Sequence, residues 1–217
     1  MEYYGEKPKR FTKEWWPYFF DYYKWHTLAA IFIIIVAVTS IMQAINAPKY
    51  DLSILFAAEE FAPDNLQSAL EDSLPTVISD CDQNDDKKIG FMAINLGGAE
   101  TDMQYAGAMK TKLELELAAG DSFIYIFKRP VAEFYSTSYY FLPVPDWCDI
   151  SGKVGTSADG TMYGVSLANS KVLKDSGVNS DDLYILIRQI RADELKDEKK
   201  VIQFENAKLA AQYLIAE

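Results

Sequence analysis

Residues 27–58 read TLAAIFIIIVAVTSIMQAINAPKYDLSILFAA, and this stretch divides the chain into its two parts. The first 19 residues, Thr27 to Ile45, carry no charge and at 1.5 Å per residue span roughly 28 Å, close to the thickness of a bilayer's hydrocarbon core. Ten of them are Leu, Ile, Val or Phe, each favouring insertion by about 0.3 to 0.6 kcal/mol, and the Thr, Ser and Gln leave the balance favourable. The last nine, Tyr50 to Ala58, form an apolar run with a β-rich centre that reads as a strand buried on both faces. The expected organisation is a cytoplasmic aromatic-rich tail over 1–26, one transmembrane helix over 27–45 and an extracytoplasmic α/β domain over 46–217.

Charge sets the orientation. Lys7, Lys9, Arg10, Lys13 and Lys24 precede the span and only Lys49 lies close after it, which places the N-terminus in the cytoplasm and makes this a single-pass protein of the cell membrane. A cleaved signal peptide is the competing reading. An uncleaved signal anchor is favoured, because 26 residues is long for the segment before a signal core and QAINAPKY is an indifferent cleavage site.

The tail itself, FTKEWWPYFFDYYKWH over 11–26, sets aromatic residues at near-helical spacing. Trp15, Trp16, Phe19, Tyr22 and Trp25 are expected to meet the lipid bilayer in its headgroup region, where Trp and Tyr prefer to sit. Docking onto an integral membrane partner is the sharper alternative, since there is more aromatic surface here than one anchor needs.

Beyond the anchor the chain alternates between strand and helix. Pro63 begins a helix with Leu66, Leu70, Leu74, Val77 and Ile78 as its apolar stripe, and Pro75 is expected to kink or divide it. A strand over 89–96, a helix capped by Thr101 or Asp102, and a strand over 122–127 follow, with Ala106, Met109, Leu113 and Leu117 inward on that helix and Gly120 as its left-handed stop. Strand, helix, strand, helix, strand with short turns predicts a mostly parallel sheet covered by helices.

The second half is less regular. Residues 133–160 are rich in aromatics, Pro and Gly and are read as wrapping a sheet edge. Strands are expected over 161–167 and 182–190, a short helix over 169–176 ended by Gly177, and a last helix over 203–216 with Phe204, Ala207, Ala211 and Leu214 inward.

Composition excludes several functions. Residues 48–217 carry 16 basic against 28 acidic side chains, so the domain repels phosphates and nucleic acid is set aside as a partner. His26 is the single histidine and lies beside the membrane, which denies the domain a Ser-His-Asp or Cys-His arrangement. A non-enzymatic protein is the expectation. Two cysteines, Cys81 and Cys148, are too few for a zinc site and leave open one disulfide or two buried thiols.

Three local patterns have binding readings. Asp80, Asp82, Asn84 and Asp86 resemble the start of a calcium loop, but Asp85 stands where glycine is needed and Phe91 where a bidentate Glu belongs, so a solvated turn is favoured and no cofactor is expected. Gly97 and Gly98 open a turn whose backbone N–H groups can meet an anion. Tyr139, Tyr140 and Trp147 either line a sugar- or peptide-binding face or pack over a sheet edge.

Three segments carry a family likeness: YDLSILFAA, ELELAAGDSFIYIF over 114–127 and MYGVSLANS over 162–170. Together they resemble one lobe of the extracellular solute-binding proteins that serve ABC importers. The resemblance implies a binding or accessory component beside a membrane transporter. A stand-alone sensor for a sugar, peptide or cation is the alternative. The family closes two lobes around its ligand and this chain has residues for one, so no ligand residues carry over.

Overall fold

The computed structural model describes residues 11–13, 15–45, 49–98, 102–136, 139–149, 155–156 and 160–216. Backbone contacts divide the chain into two compact units, Met1–Pro48 and Lys49–Glu217.

The described part of the first unit is essentially one helix, α1, Trp15–Ile45, whose 31 residues extend about 46 Å. The aromatic segment and the apolar segment are therefore continuous, and α1 begins well before Thr27. Pro17 is tolerated because the first turn of a helix has no use for its N–H. Ring stacking supports the early turns: Trp15 lies 4.8 Å from Phe19, and Phe19 lies 5.6 Å from Tyr23, both at four-residue spacing. Within α1, Tyr23–Gln43 is long and apolar enough to cross a membrane or to act as a signal, and none of it is buried inside the protein.

The second unit is an α/β domain built on one mixed sheet. Its strands are β1 (Leu52–Ala58), β2 (Ile89–Asn95), β3 (Ile124–Lys128), β4 (Gly155–Thr156), β5 (Gly164–Ser166) and β6 (Leu183–Ile187), in the order β2-β1-β3-β6-β5-β4. β1 pairs in parallel with both β2 and β3. From β3 onward each pairing is antiparallel. The expected parallel arrangement thus describes the first half of the domain, and the short strands of the second half alternate in direction, β6 and β4 running against β3 and β5 running along it.

Both faces of the sheet are covered, as the unbroken apolar runs require. Leu52, Ile54, Phe56 and Ala58 point into one cluster, together with Ile124 and Ile126 of β3 and Leu183, Ile185 and Ile187 of β6. Leu55, Ala57, Tyr125, Phe127, Tyr184 and Leu186 alternate into the other. The first layer is closed by α2 (Leu66–Ser73), α5 (Lys171–Asp175) and α6 (Glu198–Leu214). The second is closed by α3 (Met103–Ala119) and α4 (Arg129–Tyr135).

Several boundaries are set by the devices read from the sequence. Pro75 divides the first domain helix into α2 and a single 3-10 turn over Leu74–Thr76. The Asp102 carboxylate caps α3 by accepting from the N–H groups of Gln104 and Tyr105, while Thr101 lies outside the described residues. Gly177 takes the left-handed conformation, φ 72°, after α5. Gly120 does not: its φ of −70° and ψ of 166° are extended, and its missing side chain instead lets the chain pass close to the Glu116 carbonyl. α6 starts earlier than the apolar pattern alone indicates, because Asp197 caps it by accepting from Lys199 N–H.

Candidate functional site

Parallel sheets of this kind present ligand-binding crevices at the carboxyl ends of their strands, where neighbouring connections leave toward opposite faces. Here the chain leaves β1 toward the face of α2, and leaves β2 and β3 toward the face of α3 and α4. At that point a groove of about 440 Å³ opens between α3 and α4. Glu59 enters it from the end of β1, Leu96 from the end of β2 and Val131 from the first turn of α4, directly after β3.

Helix α3 contributes one face to this groove: Met103, Ala106, Gly107 and Lys110 fall at three- and four-residue spacing. Opposite them stand Phe134 and Tyr135 of α4. Met103 is 81% exposed and Phe134 68%, large apolar side chains left uncovered on an acidic domain. The Lys110 ammonium lies 5.6 Å from the centre of the Phe134 ring. Burial, followed by the charges of Glu114 and Tyr140, pushes the Tyr135 phenol above its ordinary pKa, so it remains a neutral hydrogen-bonding group.

A second cleft of about 440 Å³ lies at the same end of the sheet and is polar. Glu60, Asp64, Asp181 and Asp182 line it with Lys128. Lys128 pairs with Glu60 at 2.8 Å and Arg129 with Asp182 at 3.4 Å, so two of the carboxylates already answer cations of the chain itself.

The acidic turn lies at the opposite, amino end of the strands. Asp80 accepts the N–H groups of Asp82, Gln83 and Asp85, Asn84 accepts that of Asp86, and Asp86 pairs with Lys88 at 2.8 Å. Burial raises the Asp80 pKa, but the three backbone N–H groups outweigh it and the net shift is downward. Asp51, just before β1, joins this turn: its two oxygens accept from Cys81 N–H at 2.7 Å and Lys88 N–H at 2.8 Å. One carboxylate oxygen from each of Asp51, Asp80 and Asp82 lies within 4.8 Å of the others. Asp86 does not belong to that group, and the Asn84 side-chain oxygen is taken by the Asp86 N–H. Three oxygens are fewer than the six to eight that calcium takes, and those of Asp51 and Asp80 chiefly hold the turn itself.

The glycine and aromatic candidates have different fates. Gly97 donates its N–H to the Asn95 side chain, and a Cβ there would collide with the Glu59 carbonyl, so close packing between the ends of β1 and β2 explains this glycine. Gly98 follows with φ 88°, a conformation open to glycine. Tyr139 is exposed and meets Tyr140 edge-on at 4.6 Å, and Tyr140 packs against the α3 and α4 layer. Trp147 is buried in the opposite layer, where Gln212 donates to its carbonyl. The three do not form one face, because the sheet lies between them.

No disulfide joins Cys81 to Cys148. Burial, with the neighbouring Asp51 carboxylate, pushes the Cys81 thiol up to about 12, so it is an unreactive group that binds the Asp51 carbonyl. On α1, Trp16 and Trp25 are exposed while Trp15 and Phe19 stack. The Tyr22 side chain lies outside the described residues.

Sequence reading missed the groove residues Glu59, Lys110 and Phe134, since three separate segments build it. Gly107 was the available signal: an isolated glycine in a helix interior costs about 1 kcal/mol relative to Ala and calls for a reason. Comparison with protein-family models, with curated proteins and with solved structures finds no match to this chain.

Proposed function

We propose that this chain is a non-enzymatic, membrane-tethered binding protein that works beside a membrane transporter, with its α/β domain on the extracytoplasmic side. The observation that carries this reading is the uncovered apolar groove at the carboxyl ends of β1, β2 and β3, in a domain joined to a helix of membrane-spanning length. The helix concentrates the domain at the membrane surface. The groove supplies recognition, and the exposed tryptophans at the start of α1 supply a surface for the transporter.

The test is crosslinking with mass spectrometry on native membranes, comparing the unaltered chain with one carrying Trp15→Ala, Trp16→Ala and Trp25→Ala. Recovery of a transporter subunit that depends on those tryptophans is the expected result. Recovery of this chain alone from both samples contradicts the proposal.

A further inference from the structure

The groove between α3 and α4 has two features that its role in the fold does not require. Gly107 sits in the middle of α3, where glycine weakens a helix, yet a Cβ there would meet nothing within 4 Å. No contact inside the domain demands the glycine, and its effect is to keep the groove open along the backbone of α3. In addition, Glu59 and Lys110 line the groove with opposite charges, and among the described residues neither has an ion-pair partner. An apolar floor with one anion and one cation at its rim is complementary to an apolar molecule that carries both charges.

Resting on the binding role proposed above, we infer that this groove takes a short apolar peptide with free ends, its ammonium at Glu59, its carboxylate at Lys110 and its side chains against Met103 and Phe134. The volume, about 440 Å³, lies within the roughly 300 to 1,000 Å³ of small-ligand sites. Sites of this size, mostly apolar with a few placed polar groups, are typical of small-ligand recognition.

The experiment is calorimetric titration of the full chain in lipid nanodiscs with trileucine, N-acetyl-trileucine, trileucine amide and free leucine. Trileucine is expected to bind, and removing either terminal charge is expected to weaken it about tenfold or more, as loss of a charge-assisted hydrogen bond does. Glu59→Gln is expected to abolish the sensitivity to acetylation alone, and Lys110→Gln the sensitivity to amidation alone. Gly107→Leu fills the groove with a better helix former, so binding is lost while the unfolding midpoint is kept or raised.

Failure of trileucine to bind, equal binding by the capped peptides, or undiminished binding by the Gly107→Leu chain overturns the inference. Equally tight binding of free leucine also overturns it, in favour of a single amino acid. A chain that binds no peptide yet still crosslinks a transporter subunit overturns this inference and leaves the accessory role standing.

Discussion

Arg188 at the amino end of the sheet and Lys110 at its carboxyl end carry the same charge in opposite settings. Arg188 is 2% exposed and donates to both oxygens of Glu194 at 3.0 and 2.9 Å, to the Ser122 carbonyl at 3.0 Å and to the Gln189 carbonyl at 3.0 Å. Its guanidinium lies 4.5 Å from the centre of the Phe123 ring. Glu194 also accepts from the Arg191 backbone and side chain. Lys110 touches one ring and faces an open groove.

The difference teaches how the domain divides its labour. At the amino end, Asp51, Asp80, Arg188 and Glu194 are satisfied from within the chain, whereas among the described residues the Asp82 Oδ1 and the Gln203 Oε1 are buried there without a hydrogen-bond partner. Such groups hold the ends of β1, β2, β3 and β6 in register. At the carboxyl end, Lys128 and Arg129 answer Glu60 and Asp182, while Glu59, Lys110, Met103 and Phe134 line an open groove.

The largest expected effect comes from breaking the amino end at its most buried pair. Arg188→Ala leaves Glu194 buried without its main partner and is expected to cost about 3 to 5 kcal/mol, measured by denaturant unfolding of the full chain in detergent micelles. The double substitution Arg188→Met with Glu194→Leu is expected to cost clearly less, since no fully buried charge is then stranded and the part-exposed Arg191 keeps the Ala118 and Gly120 carbonyls. Equal losses from both would mean that packing rather than charge dominates there.

Asp51→Ala removes the acceptor for two backbone N–H groups. A loss of about 1 to 3 kcal/mol is expected in the same assay, the ordinary penalty for stranded buried donors. Asp86→Ala, which breaks only an exposed ion pair, serves as the control and is expected to change stability by less than about 1 kcal/mol.

Acid sharpens the comparison further. Burial raises the Glu194 pKa, but hydrogen bonds and charges from Arg188 and Arg191 outweigh it and hold the group below its ordinary value. Its contribution is therefore fully present above the unfolded-state value of about 4.3 and is lost as pH falls through the lower folded-state value. Stability measured from pH 6 downward should decline below that point, and Glu194→Gln should flatten this part of the curve.

The smallest effect belongs to the carboxyl end. Gly107→Ala is expected to stabilise the chain by about 0.5 to 1 kcal/mol, because an exposed helix interior gains from losing a glycine and the added Cβ meets nothing. A loss of stability would show that the glycine serves packing after all.

Much of this fold is legible in the sequence. Apart from Ser53, the strand positions within 50–58 and 122–127 that face the two helical layers are apolar, and Pro75, Asp102 and Gly177 mark helix ends by their own chemistry. The return of β6 against β3, with β5 reversing again beside β6, is not legible, because three- and five-residue strands are too short to declare their direction. Arg188 and Glu194 lie six residues apart at no regular period, so only the turn between them makes them partners. Trp147 and Tyr140 are close in sequence, yet the sheet separates them, a fact that aromatic spacing does not contain.

The most direct test of the carboxyl end as the binding end is photocrosslinking in native membranes. A photoreactive residue is placed at position 134 in one chain and at position 83, in the exposed acidic turn, in another, and the mass of each chain is then measured. Adducts at position 134 and none at position 83 are the predicted result. Adducts at position 83 with none at position 134 would contradict the account.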